Sequence, residues 1–285
     1  MRPNCKPRVI VTERRATRAR AGRARWERRW IMRRVWILTG YFLFFSQVVA
    51  CASTTPPRRI VDYLGQQTVN EVAQVPLPPR PIHAGLVMIA DTSAPEAAPI
   101  LPDEALNRLS STLQQQLNEM TPIVIDRIIP ADGVQPDGDA VQFSHLGKQH
   151  GVDYLVVVIA SSTEQEYPVT LFLGWVTHAQ PGWRRDNWSL LEVALIDVNT
   201  GQALLRAEGR GFATLDRPTA PGINQWYPVV WLRPQFPARR FWPPTYAGAP
   251  NTLRVVAMNE AAKRLVLQVR EAWIEKRQSE LEAAG

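Results

Sequence analysis

Several groups of residues in this chain carry side chains that could do chemistry. Glu164 and Glu166 follow an apolar stretch that reads as a central strand, where α/β sites often lie. A carboxylate pair is the minimum for general acid–base hydrolysis. No partner for them is evident in the sequence. His145 and His150 are five apart on an expected helix, which sets them about 140° apart around its axis. They read as helix histidines rather than joint metal ligands. His83 and His178 are isolated. Asp132, Asp137 and Asp139 surround Gly133 and Gly138 in a loop that superficially suggests calcium, but no EF-hand order follows. They read as solvated turn carboxylates. Gly209-Arg210-Gly211 inside a strand is expected to mark a bulge rather than a phosphate site. No HExxH, GxSxG or P-loop pattern occurs. No catalytic residue, metal or cofactor is therefore expected.

The most distinctive stretch runs from residue 216 to 250. It holds Trp226, Tyr227, Trp231, Phe236, Phe241, Trp242 and Tyr246, interleaved with Arg233, Arg239 and Arg240. Trp, Tyr and Arg are the residues that dominate protein interfaces. Trp226, Tyr227, Trp231, Arg233, Phe241 and Trp242 are accordingly the candidate partner-binding residues. The other reading is a loop folded over the sheet with its aromatics buried. Trp175, Trp183 and Trp188 are candidates for the same surface.

The elements that must position these residues begin with a charge asymmetry. The chain has 285 residues, two cysteines and a net charge of +7. Thirteen basic residues against Glu13 and Glu27 give residues 1–34 a charge of +11, and residues 51–285 carry −4. The basic character belongs to the N-terminus alone, so it implies no nucleic-acid partner for the rest. Val35–Ala50 is uncharged and apolar. Its sixteen residues fall short of the ~20 that span a bilayer as a helix. They suit the apolar region of a secretory signal, with Arg33 and Arg34 as its positive flank. Met32 opens a complete signal of ordinary length, so residues 1–31 are expected to lie upstream of the true start. A basic arm for nucleic acid or anionic lipid is the rival reading.

The apolar run ends Val48-Val49-Ala50-Cys51. This resembles the lipobox of bacterial lipoproteins. The resemblance implies cleavage between Ala50 and Cys51, with acyl chains on Cys51 that anchor the protein to a membrane. Two or more chains anchor stably, at about 0.8 kcal/mol per buried methylene. Ala52, rather than aspartate, implies outer-membrane sorting by analogy. The alternative is an uncleaved signal anchor.

Residues 51–81 read as a Pro-rich tether, within which Ile60–Leu64 forms a short helix or docked segment. Residues 82–215 read as one mixed α/β domain. Strands are expected over Ala84–Ala90, Ile123–Ile129, Tyr154–Ala160, Val169–Val176, Trp188–Val198 and Ala203–Thr214. Helices are expected from Asp103 through Met120 and over Asp139–His150, the latter stopped by Gly151. A long helix follows residue 250, capped by Asn251 and fraying over Lys276–Gly285. The order β-α-β-α-β-β-β-β-α makes an α/β (α+β) fold on one mixed sheet.

Gly151-Val152-Asp153-Tyr154-Leu155 and Leu195-Ile196-Asp197-Val198-Asn199-Thr200-Gly201-Gln202 resemble segments of envelope lipoproteins of the curli-secretion (CsgG-like) and penicillin-binding-protein-activator (LpoB-like) kind. Val61-Asp62-Tyr63-Leu64 after the lipobox is similar to the rhombotarget lipoproteins. The resemblance implies a non-catalytic, lipid-anchored envelope protein that binds a protein partner or itself. An envelope hydrolase using Glu164 and Glu166 is the alternative.

Overall fold

The strands are β1 (Ile82–Asp91), β2 (Ile123–Ile129), β3 (Tyr154–Phe172), β4 (Ala179–Asp197), β5 (Ala203–Pro218), β6 (Val229–Arg233) and β7 (Arg240–Phe241). The helices are α1 (Ile60–Leu64), α2 (Gln66–Asn70), α3 (Asp103–Met120), α4 (Ala140–His150) and α5 (Ala249–Ala284). These come from a computed structural model that describes residues 58–284, apart from 71, 73, 74, 79, 80, 137, 138, 173–178, 220–227 and 235–238. Cys51, Ala50, Trp226, Tyr227, Trp175, Phe236 and His178 lie outside the described residues.

The strands form one sheet in the order β2-β1-β3-β4-β5-β6-β7. β1 lies parallel to β2 and β3, and every later pair is antiparallel. Parallel neighbours need crossovers, which α3 and α4 provide. This is the expected single mixed sheet with helices, an α+β arrangement.

Burial on both faces explains the near-continuous apolar runs of β1 and the first half of β3. One face packs Leu86, Val156, Val158, Leu191 and Val193 against Leu109, Leu113 and Leu117 of α3 and Leu265, Val269 and Trp273 of α5. The other packs Val87, Leu155, Val157, Ala194 and Ile196 against Phe143 and Leu146 of α4 and Ile60, Tyr63 and Leu64 of α1. Ile60–Leu64 is thus both helical and docked.

Local signals set the boundaries. Asp139 caps α4 by accepting the Val141 N–H at 2.9 Å, and Gly151 ends it in a left-handed conformation at φ 65°. α5 starts at Ala249, two residues before the expected Asn251 cap. Pro250 sits in its first turn, where a missing N–H costs nothing. The Asn251 side chain instead accepts from Arg254 at 3.0 Å.

The end of α5 does not fray. Lys276 Nζ donates to the carbonyls of Val72 at 2.5 Å and Leu204 at 2.6 Å, and the Leu77 N–H donates to Glu280 at 2.6 Å. Arg277 donates to the carbonyls of Leu77 and Pro78. Charged ends of a helix thus grip the segment that leads into the sheet.

Two strand expectations are corrected. Tyr154–Ala160 and the start of Val169–Val176 belong to one strand, β3, which continues through polar residues 161–168. Residues 216–250 contain the short strands β6 and β7. The expected bulge at Gly209-Arg210-Gly211 is also corrected. The β4–β5 register is unbroken there and shifts only between Leu195 and Ile196. The glycines serve close approach: a methyl group on Gly211 would collide with the Ala257 carbonyl of α5, and one on Gly209 with that of Ala261.

At the β2 edge, the backbone of Ile125 is engaged by α3. Its N–H donates to Asn118 Oδ1 at 2.6 Å, and its carbonyl accepts from Gln114 at 2.9 Å.

Candidate functional site

The long strands β3 and β4 run past the second core. On the face that carries α1 and α4, that core ends at Ile159, Ala194 and their neighbours. Beyond it the sheet continues in cross-strand rows. The first is Ile159–Glu192–Glu208, the second Ser161–Leu190–Arg210. The third is Thr163–Trp188–Phe212–Arg233, the fourth Gln165–Asp186–Thr214–Trp231–Arg240.

Each row has a physical role. Glu192 is buried at the edge of the core, and its carboxylate accepts the Ile60 N–H at 2.9 Å and pairs with Arg59 Nε at 2.8 Å. It therefore caps α1 with a negative charge. The bond to Glu192 raises the Arg59 pKa above its ordinary value, against the opposing effect of burial. Arg59 also pairs with Glu208 at 2.9 Å, and Glu208 pairs with Arg210 at 2.8 Å.

In the third row, Trp188 and Phe212 stack with centroids 5.2 Å apart and planes 7° from parallel. Trp188 stays 41% exposed. In the fourth, Trp231 carries the Arg240 guanidinium at 4.7 Å and that of Arg233 at 5.7 Å from its ring centroid, both within cation–π range. Asp186 is buried and accepts from Tyr167 and Thr214, each at 2.8 Å. Arg184 pairs with Asp216 at 2.7 and 3.0 Å. A groove of about 330 Å³ runs past Arg59, Thr163, Trp188, Arg210 and Phe212.

The expected partner-binding residues do not form one cluster. Trp231 and Arg233 share this face with Phe212 and Thr214. Phe241 pairs with Val230 and packs against the core under α5, on the opposite face. Trp242, just beyond β7, is 64% exposed.

The candidate catalytic carboxylates are both engaged. Glu164 accepts from Arg254 Nε at 2.7 Å and Nη2 at 3.0 Å, and from Asn187 at 3.2 Å. Glu166 pairs with Arg185 and Arg217. Such charge-assisted contacts hold β3 to its neighbouring strands and to α5. His83 faces Asp126 at 3.0 Å, His145 is exposed, and Asp139 is the cap of α4. Among the described residues, no three His, Cys, Asp or Glu side chains cluster as metal ligands. No helix among them is long and apolar enough to cross a membrane.

Sequence reasoning missed Glu192 and Arg59. A signal existed, because Glu192 is the one charge in the apolar run Trp188–Ile196, and a buried charge requires a partner. The partner lies 133 residues away, beyond any local pattern.

No protein family matches the chain, and no curated protein matches it. Several solved structures align with the chain. A neuraminyllactose-binding hemagglutinin homolog from Helicobacter pylori aligns at 8% identity and TM-score 0.36, over 75% of this chain and 99% of its own. The PelC dodecamer of Paraburkholderia phytofirmans aligns at 15% identity and TM-score 0.27, over 68% and 93%. A Xanthomonas campestris protein of the DUF330 family aligns at 11% identity and TM-score 0.28, over 73% and 94%. Scores and identities this low carry no weight for function.

Proposed function

We propose that this chain is a lipid-anchored bacterial envelope lipoprotein that works by binding rather than catalysis. Cys51 carries the acyl chains after cleavage behind Ala50, and the domain faces the periplasm from the outer membrane. Its protein partner, or a second copy, docks at the β6–β7 edge, which carries Trp231 and Arg233 on β6 and the exposed Trp242 just past β7. The observation that carries the binding reading is the Trp231 indole held under two guanidinium groups at this edge. Preordered Trp and Arg lose little freedom on docking. The occupied state of Glu164 and Glu166 supports binding over hydrolysis. The resemblance to the curli-secretion, penicillin-binding-protein-activator and rhombotarget lipoproteins supports the envelope setting.

Metabolic labelling with a fatty acid tests the anchor. Label is expected on the wild-type protein and absent from Cys51→Ala; an unlabelled wild type refutes the lipoprotein reading. Crosslinking and pull-down from envelope fractions tests the edge. Trp231→Ala and Trp242→Ala are expected to lose a partner that the wild type captures. Unchanged capture by both variants refutes that edge.

A further inference from the structure

We infer that the anchor-proximal part of the exposed sheet face, centred on Trp188, Phe212 and Arg210, rests on the anionic phospholipid bilayer that holds the protein. The inference goes beyond the binding edge proposed above and rests on the lipid anchor at Cys51.

The first argument is reach. Arg58 is the seventh residue after Cys51, and even a fully extended chain of that length covers only about 25 Å. The chain is then locked to the domain. The Arg58 N–H donates to Asp91 at 3.0 Å, the Arg59 N–H to Asp62 at 2.6 Å, and the Ile60 N–H to buried Glu192. The surface next to this lock therefore stays within about 25 Å of the lipid. That surface is the groove bounded by Arg59, Arg210, Trp188 and Phe212. Trp188 is four residues along β4 from Glu192, about 13 Å at strand spacing.

The second argument is chemistry. Tryptophan is enriched where membrane meets water because its ring is apolar and its N–H is polar. Here the stacked Trp188–Phe212 pair offers an aromatic surface that stays partly exposed. Around it the charge is sorted. Glu192 and Glu208 are bound by arginines, Asp216 by Arg184, and Asp186 by two hydroxyls. Arg210 is well exposed although paired. The acids are ion-paired or hydrogen-bonded within the sheet, while the Arg210 guanidinium reaches into solvent, which suits phosphate headgroups. A stiff sheet delivers the aromatic pair and Arg210 together, so little ordering is lost on contact.

The test uses the acylated full chain, processed in cells and reconstituted in vesicles of phosphatidylethanolamine and phosphatidylglycerol. Behind the cleavage site Cys51 is the only native cysteine, and acylation occupies it. Gln165→Cys, in the row beside Trp188, and Leu281→Cys therefore each supply a single thiol for an environment-sensitive dye. Both sites are exposed, and Leu281 is on the last turns of α5. The dye at 165 is expected to shift to the blue and to be quenched by brominated lipid, whereas the dye at 281 stays water-like. Trp188→Ala and Arg210→Glu are each expected to reduce the quenching at 165, as is replacing phosphatidylglycerol by phosphatidylcholine. A dye at 165 as water-like as that at 281, on protein that carries fatty-acid label, overturns this inference and leaves the anchor standing. Protection from an aqueous quencher without lipid quenching also overturns it, because protein then covers the face. Absence of fatty-acid label overturns the anchor and this inference together.

Discussion

Arg254 of α5 closes on Glu164 of β3 with two parallel hydrogen bonds, 2.7 and 3.0 Å long, in a site where both side chains are about nine-tenths buried. The pair ties the long helix to the strand that carries Glu164 and Glu166, the carboxylates of the alternative, hydrolytic reading. Removing one partner strands the other charge out of water. Arg254→Ala is expected to lower the unfolding free energy by about 3–5 kcal/mol. Urea unfolding monitored by circular dichroism measures it. A loss within the range of ordinary surface substitutions would show that the pair is not structural.

Gly211 touches the backbone of α5 at Ala257, and Gly209 touches it at Ala261. Glycine-to-alanine changes commonly stabilise by about 0.4–1 kcal/mol through the unfolded chain. Here the sign reverses. Gly211→Ala is expected to cost more than about 1–3 kcal/mol because the helix must lift off the sheet. The thermal midpoint of the variant reports the sign directly.

Glu192 holds the N-terminus of α1. Glu192→Ala removes the cap and leaves the Arg59 guanidinium without its buried partner. Residues 58–70 are expected to exchange amide hydrogens faster while the sheet keeps its protection. Hydrogen exchange by mass spectrometry resolves the two regions. Equal exchange in wild type and variant would mean that α1 is held by its apolar side chains alone.

Tyr167 is pushed above its ordinary pKa near 10, first by burial and then by its bond to Asp186. The folded state therefore keeps the phenol proton at a pH where the unfolded chain releases it. The contribution is fully present below about pH 10 and is lost as the pH rises through the folded value. Tyr167→Phe is expected to show a flatter decline of stability on the alkaline side. Matched unfolding curves across that range decide the matter; parallel declines would remove Tyr167 as the source.

Much of the architecture was legible in the sequence where one local cause dominates. Asp139 and Gly151 bracket α4, and Asn199-Thr200-Gly201 turns β4 into β5 with Gly201 at φ 73°. The outer half of β3 was illegible for a reason that its neighbours supply. Residues 161–168 are polar, and a polar run reads as a loop. Glu164 and Glu166 are strand residues because Asn187, Arg185 and Arg254 satisfy them from β4 and α5. The exposed face is likewise a product of register. Trp188, Phe212 and Trp231 come from three strands, and no sequence window contains them together. Trp231, Arg233 and Phe241 are close in sequence, yet the pleat sends Phe241 to the other side.

The side chains of Asn118 and Gln114 that seal Ile125 have a consequence for how copies of this molecule could add together. An open strand edge invites an incoming chain to extend the sheet, and stacking of that kind grows without limit. Among the described residues, two amides from α3 occupy the N–H and carbonyl of Ile125 in the middle of β2, and β7 at the opposite edge is only Arg240 and Phe241. Growth by strand addition is thereby discouraged at both ends of the sheet. That favours contacts made side chain to side chain, across faces, whose extent is set by geometry rather than by supply.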